Sequence, residues 1–359
     1  MAHEIEKFDG AVLGSGKAAW HGLGTVIDGA VSADQAIELA NLGWEVNLEE
    51  LLLRVGEPQR KVFTHIGEVR AFDQTMPVPG WFATVRDDLP RSEPARVLGC
   101  VRSQYKPIQN REAFGIADAL LGEGVQFETA GSLRNGKVVW MLTRKMEQLA
   151  IKDDKIGQHL LITNAHDGTR ALRVLFTPIR VVCANTLRMA MSGVRSVVKI
   201  RHTGDVAGQV VEAREVLGLS NIYFQKYAVV AKTLADIKVS DIFARDYVED
   251  LWPASESKAG ITRAMKDRDA VLDLFHGRQL GGDMDAIRGT AWGLLNAVGQ
   301  YVDHAIPTNT RGRTSQEASF ERVMLTGSAE FKDQAAQRLL HMTGMVQGRS
   351  EALVGAAAN

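Results

Sequence analysis

The residues with the clearest chemical potential form a basic stretch between Arg170 and Gly204. Phosphate groups are bound by lysine and arginine when no local carboxylate competes for them. The stretch holds no aspartate or glutamate, and its cations are Arg170, Arg173, Arg180, Arg188, Arg195, Lys199 and Arg201. This pattern predicts a phosphate-binding surface. The competing interpretation is a solvated face whose charge is balanced by acidic residues from elsewhere in the chain. Because the net charge is −1, the sequence supports the two interpretations equally.

The spacing within this stretch adds detail to the prediction. Arg180 and Arg188 are eight positions apart, which on a helix offsets them by only about 80°, so both can face one groove. Arg173 can contact phosphate only if its face of the strand is open. Tyr105 and Phe176 are the candidate stacking platforms for unpaired bases, each contributing about 1 to 3 kcal/mol if used.

Catalytic chemistry has weaker support in the sequence. Three polar clusters stand out, namely His166-Asp167, Cys183 with Asn185, and Asp303-His304. Each has a plainer explanation: a turn, a small buried residue, and a helix end whose dipole suits a cationic histidine. No Walker loop, HExxH or GxSxG motif is present. We therefore assign no catalytic residue, metal ligand or cofactor, and keep an unrecognised hydrolase as an alternative.

The basic stretch is placed by a predicted antiparallel sheet. Residues 159–164 and 171–177 read as two strands joined by an Asp167-Gly168 turn, with Pro178 ending the second. Residues 125–133 and 138–144 form a second hairpin, because Asn135-Gly136 suits a tight turn with positive φ. The apolar spacing that follows Pro178 predicts a helix over 181–191, and 194–200 reads as a further strand.

The flanking sequence completes an α+β prediction. Ser32 and Gln35 have the spacing of a capping box, and Asn110 is the expected N-cap of a helix after a strand at 97–101. The carboxy-terminal pattern is helical over 206–217, 221–235, 287–302 and 328–342. We expect a central antiparallel sheet of hairpins with a packed helix, followed by a mainly helical region. The predicted units are a β-rich region with a short helix, the central core with the basic stretch, and the helical region, at 1–95, 96–204 and 205–359.

Composition restricts the class of protein. The chain is 45% hydrophobic and 24% charged, as in ordinary globular proteins. Its two cysteines, Cys100 and Cys183, suggest neither a disulfide framework nor a metal-binding pair. No signal peptide pattern and no apolar run of about 20 residues is evident, so we expect a cytoplasmic protein without a membrane partner.

Several motifs resemble those of the phage/plasmid-like protein family (domain of unknown function 932). The resemblance runs from about Trp20 to Leu340 and rests on these segments: WHGLG at 20–24, YKPIQN at 105–110, TAGSL at 129–133, HDG at 166–168, RVVCANTL at 180–187, RHTG at 201–204, and TAWG at 290–293 to YVDH at 301–304. This family is carried by bacteriophages, prophages and plasmids, and its name records an unknown function. A weaker likeness, in the order of elements only, is to phage single-strand annealing proteins, whose core is commonly assembled in an oligomeric ring.

The basic stretch and this resemblance together predict non-specific single-stranded DNA binding, for strand annealing or protection, by a homo-oligomer. The alternative is a self-assembling structural or interaction protein of a mobile element. Its helical stripes at 287–302 and 331–342 would then be the assembly surface, although such stripes more often form a core.

Overall fold

The structure is a computed structural model. It describes residues 24–27, 32–55, 60–64, 67–71, 74–118, 125–180, 197–206, 208–209, 211, 220–278, 284, 287–306, 315–325 and 327–345. The predicted helix over 181–191 and most of the one over 206–217 lie outside these residues, as does the start of the strand expected at 194–200.

The main sheet is antiparallel and has the strand order β1-β7-β8-β9-β10-β11. Its strands are β1 (Thr25–Val26), β7 (Val125–Leu133), β8 (Val138–Ile151), β9 (Asp154–Ala165), β10 (Leu172–Arg180) and β11 (Val197–Ile200). Both predicted hairpins are confirmed, as β7–β8 and β9–β10. In the first turn Asn135 and Gly136 have φ values of 58° and 93°, as the Asn-Gly pair predicts, and Arg134 is also left-handed.

The prediction that Pro178 ends its strand is wrong. Strand β10 continues through Pro178 to Arg180, and Pro178 pairs with Gln158 of β9. The neighbour on the other side, β11, pairs only with residues 172–175 of β10. Because that side of β10 has no described strand at Pro178, a residue without an amide donor is tolerated there.

Two smaller sheets precede the central core. One has the order β2-β5-β6, and the other is the β3–β4 hairpin. Their strands are β2 (Val46–Val55), β3 (Arg60–Thr64), β4 (Gly67–Ala71), β5 (Gln74–Arg86) and β6 (Val97–Arg102), with a short 3-10 turn at Pro94–Arg96 before β6.

The helices begin with α1 (Ala33–Leu39) and α2 (Asn110–Asp118). The predicted cap of α1 is confirmed, because the Ser32 hydroxyl accepts a hydrogen bond from the Gln35 amide at 3.3 Å. The cap predicted for α2 is wrong. Asn110 is the first helical residue and its side chain points elsewhere, while the Gln109 amide donates to the Glu112 carboxylate at 2.8 Å.

The carboxy-terminal region is helical, as predicted. Its helices are α3 (Ser220–Asp236), α4 (Asp241–Leu251), α5 (Lys258–Asp273), α6 (Ala291–Gln300), α7 (Ser315–Phe320) and α8 (Gly327–Met342). Wider π-type turns follow α5, α6 and α7, at Leu274–Arg278, Tyr301–Ala305 and Glu321–Leu325. None of the described helices is long and apolar enough to span a bilayer.

Three apolar clusters hold these elements together. The first joins one face of the main sheet to α1, α2 and the start of α3, so residues on both sides of position 95 share one core. The second lies among the carboxy-terminal helices. The third packs the opposite face of the main sheet against residues 320–325. Both faces of this sheet are therefore covered over much of their area.

The helical stripes considered for self-assembly belong to the second cluster. Ile287, Leu294 and Leu339 each have 0% of their surface exposed. Polar residues within the first stripe are buried as well, with Asn296 at 0% and Asp303 at 1% exposure. These stripes form core, and an assembly surface has to be sought elsewhere.

Candidate nucleic-acid interface

Three distant segments meet at the end of the main sheet where β9 and β11 finish. They are residues 105–110, 166–168 and 201–204. The Lys106 amide donates to the His202 carbonyl at 2.6 Å, and the Lys106 ammonium donates to the Gly204 carbonyl, also at 2.6 Å. These bonds fix the chain that leaves β6 against the chain that leaves β11.

His166 is the buried centre of this meeting point. Its Nε2 lies 2.8 Å from Asn110 Oδ1, and the Asn110 amide nitrogen donates to the Leu42 carbonyl at 2.8 Å. The Trp44 ring meets the imidazole edge-on at 5.3 Å, and the Arg86 guanidinium lies 4.4 Å above Trp44. Burial, reinforced by nearby positive charge, lowers the pKa of His166 to about 3. The ring is therefore neutral at physiological pH and links three parts of the fold.

The two predicted stacking platforms lie in the interior. Tyr105 is 9% exposed, stacks on His202 at 4.7 Å and donates its hydroxyl to the Ala165 carbonyl at 3.1 Å. Phe176 is 1% exposed and packs 5.6 Å from the Tyr223 ring. Neither ring offers a face to an unpaired base in this structure, so we remove both from the candidate set.

The first cation of the basic stretch is neutralised by a distant carboxylate. Arg170 donates from Nη2 to Glu321 Oε1 at 2.9 Å, across 151 positions of sequence. Arg134 Nη2 lies 3.6 Å from the same oxygen and 3.8 Å from Asp167 Oδ2. Glu321 itself is only 7% exposed. For Arg170 the competing interpretation is correct, because its charge is balanced by the carboxy-terminal region.

The last two cations of the stretch have a different setting. Lys199 and Arg201 alternate with the buried residues Val198 and Ile200 of β11, and both are exposed. Within the described part of the chain, neither side chain has an ion-pair partner. Arg173 is the cross-strand neighbour of Lys199 and is half-buried. Its face of the strand is thus only partly open.

The middle of the stretch lies largely outside the described residues. Arg180 is the last residue of β10, and its side chain lies outside the described residues. Arg188 and Arg195 lie wholly outside them. The expected shared groove of Arg180 and Arg188 stays a prediction.

An aromatic and cationic pair near this surface was missed in the sequence. Arg102 and Trp81 are cross-strand partners in β6 and β5, with the guanidinium carbon 4.0 Å from the ring centroid. Arg102 is exposed, Trp81 is half-buried, and the Arg102 carbonyl accepts from the Tyr105 amide at 2.9 Å. The two residues are far apart in sequence, and only the pairing of the two strands brings their side chains together.

A family model matches residues 97–325, almost two thirds of the chain, and its description is a domain of unknown function (DUF932). The chain belongs to the DUF932 family. No curated protein and no solved structure matches it. The DUF932 match contains the basic stretch and Glu321, whereas Trp81 and β2 precede it.

Within the DUF932 region the candidate catalytic carboxylates have structural partners. Asp167 Oδ1 accepts from the Thr169 amide at 3.0 Å, and Gly168 has a φ of 76°, which is turn chemistry. Asp303 is buried against the Lys332 ammonium at 2.6 Å. No cluster of three or more potential metal ligands occurs among the described residues. Cys183 and Asn185 lie outside those residues.

Proposed function

We propose that this protein binds single-stranded DNA without sequence preference, for strand annealing or protection in the life cycle of a phage or plasmid, within the cytoplasm. The observation that carries the proposal is the edge strand β11 of the main sheet. There Lys199 is exposed on the side of β11 away from the first core, and Arg201, directly after the strand, is exposed as well. Such cations neutralise phosphates and release counterions, which requires no base-specific contact.

Lys106 extends this positive surface. It is exposed, and its ammonium reaches the Gly204 carbonyl, three residues after Arg201. The nearest carboxylate in sequence, Asp205, accepts from the Gly208 amide at 3.0 Å, so its charge is turned toward the following backbone. We name Lys106, Lys199 and Arg201 the edge cations.

The Trp81–Arg102 pair supports a single strand rather than a duplex as the ligand. Base stacking on aromatic rings needs unpaired bases and tolerates any sequence. Arg102 lies four residues before Lys106, on a turn closed by the Tyr105 amide. An unpaired strand following the edge cations would therefore reach an indole ring that already stacks with one cation.

The test is a fluorescence-anisotropy titration of a labelled oligothymidylate at two salt concentrations. The variant Lys199→Glu/Arg201→Glu should bind at least about tenfold more weakly at low salt, because two phosphate contacts become repulsive. Its log–log salt slope should also be smaller by about 1.4, at about 0.7 per phosphate released from a single strand.

The matched control is Arg263→Glu/Lys266→Glu on α5. Both of these side chains are exposed, and the change in net charge is the same. The control should bind like the wild type. Equal losses of affinity in the two variants would show that only the net charge of the protein matters for binding. A wild type that does not bind at low salt would contradict the proposal.

A further inference from the structure

Strand β2 forms an outer edge of the sheet β2-β5-β6. It pairs with β5 on one side only, and no described strand pairs with its other side. Its ten residues include no proline and no lysine, the residues that commonly protect a sheet edge. Leu52 and Leu53 are 53% and 57% exposed. An edge of this kind is a template for pairing with another strand.

The hydrogen bonds at the start of β2 show which backbone groups point outward. Val46 donates to Gln109 Oε1 at 2.9 Å and accepts from Gln109 Nε2 at 3.0 Å, so its amide and carbonyl face away from β5. Glu45 instead bonds to Asp87, in the chain that continues β5. The register of β2 and β5 shifts between Glu50 and Leu52, where residues 78–81 of β5 lie opposite Leu51 alone, so the extra residues belong to β5. Because backbone direction then alternates without a break along β2, the outward groups beyond Val46 belong to Leu48 and to the residues at positions 50, 52 and 54.

The side chains of these residues would complement the same side chains of a second, antiparallel copy of β2. Glu50, Leu52 and Arg54 share one face of the strand and are all exposed. Within the described residues neither Glu50 nor Arg54 has an ion-pair partner. If two copies of β2 run antiparallel with Leu52 at the centre, each Glu50 lies directly opposite an Arg54.

We propose that β2 pairs with β2 of a second copy of this chain in that arrangement. The three pairs 50–54, 52–52 and 54–50 exchange about six backbone hydrogen bonds, because all of them are of the hydrogen-bonded type. On the other face, Leu53 gains an apolar contact with Leu51 of the second copy, beside its own cross-strand neighbour Met76, which is 56% exposed. The two three-stranded sheets become one continuous sheet with twofold symmetry.

Sedimentation velocity from about 1 to 200 µM, a range that covers weak dimers, tests this pairing. Glu50→Arg places two arginines opposite each other in both symmetric pairs, and Arg54→Glu places two glutamates there. Each single variant should weaken the dimer about tenfold, because an attractive cross-strand charge pair becomes repulsive and this pair occurs twice. The double variant Glu50→Arg/Arg54→Glu restores opposite charges and should dimerise like the wild type.

A cysteine at position 52 gives a second readout. In a Cys100→Ser/Cys183→Ser background, Leu52→Cys should form a disulfide-linked dimer on mild oxidation, because paired strands bring the two Cα atoms to about 5.5 Å. Leu48→Cys is the matched control on the same edge and should give no disulfide-linked dimer under the same treatment.

Three results would overturn the pairing: a wild type that stays monomeric over the whole range, single variants that dimerise normally, or a double variant as weak as the singles. The second result would mean that the dimer forms through another surface, and the third that Glu50 and Arg54 do not pair. Each is distinct from failure of DNA binding, because β2 belongs to a different sheet from β11, the strand that carries Lys199.

Discussion

The two ends of the basic stretch carry the same kind of residue but differ in whether their charges are paired with a carboxylate or exposed to solvent. At its start, Arg170 is 23% exposed and bonds to a buried glutamate from the carboxy-terminal region. At its end, Lys199 on strand β11 and Arg201 directly after it are exposed. Absence of acidic residues within a segment therefore does not decide whether its cations are available. Whether the cations are available depends on which residues pack against each end of the stretch, and Glu321 packs against only the first end.

Loss of the Glu321 carboxylate should have the largest effect on this contrast. Glu321→Gln leaves Arg134 and Arg170 partly buried without their shared counter-charge, so the free energy of unfolding should fall by about 3 kcal/mol. Urea denaturation at pH 7 measures the change. Glu330→Gln, on an exposed position of α8, is the control and should stay within about 0.5 kcal/mol of the wild type. Equal stability of the two variants would show that the arginines do not need Glu321.

Low pH should lower the free energy of unfolding through His166, which is buried near the Arg170 end of the stretch. The unfolded imidazole takes up a proton below its usual pKa of about 6.5, whereas the folded one stays neutral down to about 3. Stability is therefore lost as the pH falls, by about 2 kcal/mol between pH 7 and pH 5. The pKa of His202 is lowered by burial as well, so it contributes with the same sign.

Urea denaturation at the two pH values measures this difference. His166→Gln retains a donor for Asn110 and should lose most of the pH dependence. His276→Gln, at a side chain that is 50% exposed, should keep it. If the His166 variant lost as much stability in acid as the wild type, another group would be responsible.

A smaller effect is expected at the Trp81–Arg102 pair. Trp81→Ala should weaken binding of a single strand about fivefold, which corresponds to one lost stacking contact of about 1 kcal/mol. Anisotropy with single-stranded and duplex oligonucleotides of equal length measures it. Duplex binding should be unchanged, because paired bases offer no free face. A similar loss for both ligands would assign Trp81 a structural role.

The two ends of the basic stretch are compared most directly by one neutralising substitution at each end, of which only one should change DNA binding. Arg170→Gln should leave the affinity and the salt slope of single-strand binding unchanged, since its guanidinium is held by Glu321. Lys199→Gln should reduce the slope by about 0.7. Anisotropy titrations over a salt series compare the two. Equal reductions would show that the ends of the stretch act alike.

Local chemistry made much of the fold predictable from the sequence. Both hairpins follow from turn residues, Asn135-Gly136 and Asp167-Gly168, and the cap of α1 follows from Ser32. Alternation along β10 sets Leu172, Val174 and Phe176 on one face of the strand, and all three lie in the first core. These signals depend on neighbours a few positions apart.

The site was less predictable because its partners are distant in sequence. Nothing near Arg170 indicates Glu321, and nothing near Tyr105 indicates that the chain after β11 covers its ring. The same applies to Asn110, which has the residue type of a helix cap but bonds to Leu42 and His166. In each case a side chain with an evident local role is used by a contact formed only on folding.

The Gln109 amide has a consequence for how strands can align. The side-chain amide of Gln109 is hydrogen-bonded to the outward amide and carbonyl of Val46, so these groups at the beginning of β2 are not available to another strand. A neighbouring strand cannot slide past this point without displacing it, so alternative alignments in that direction are disfavoured. Since two copies would use up the same edge in each other, growth ends at a closed pair instead of continuing into a fibre.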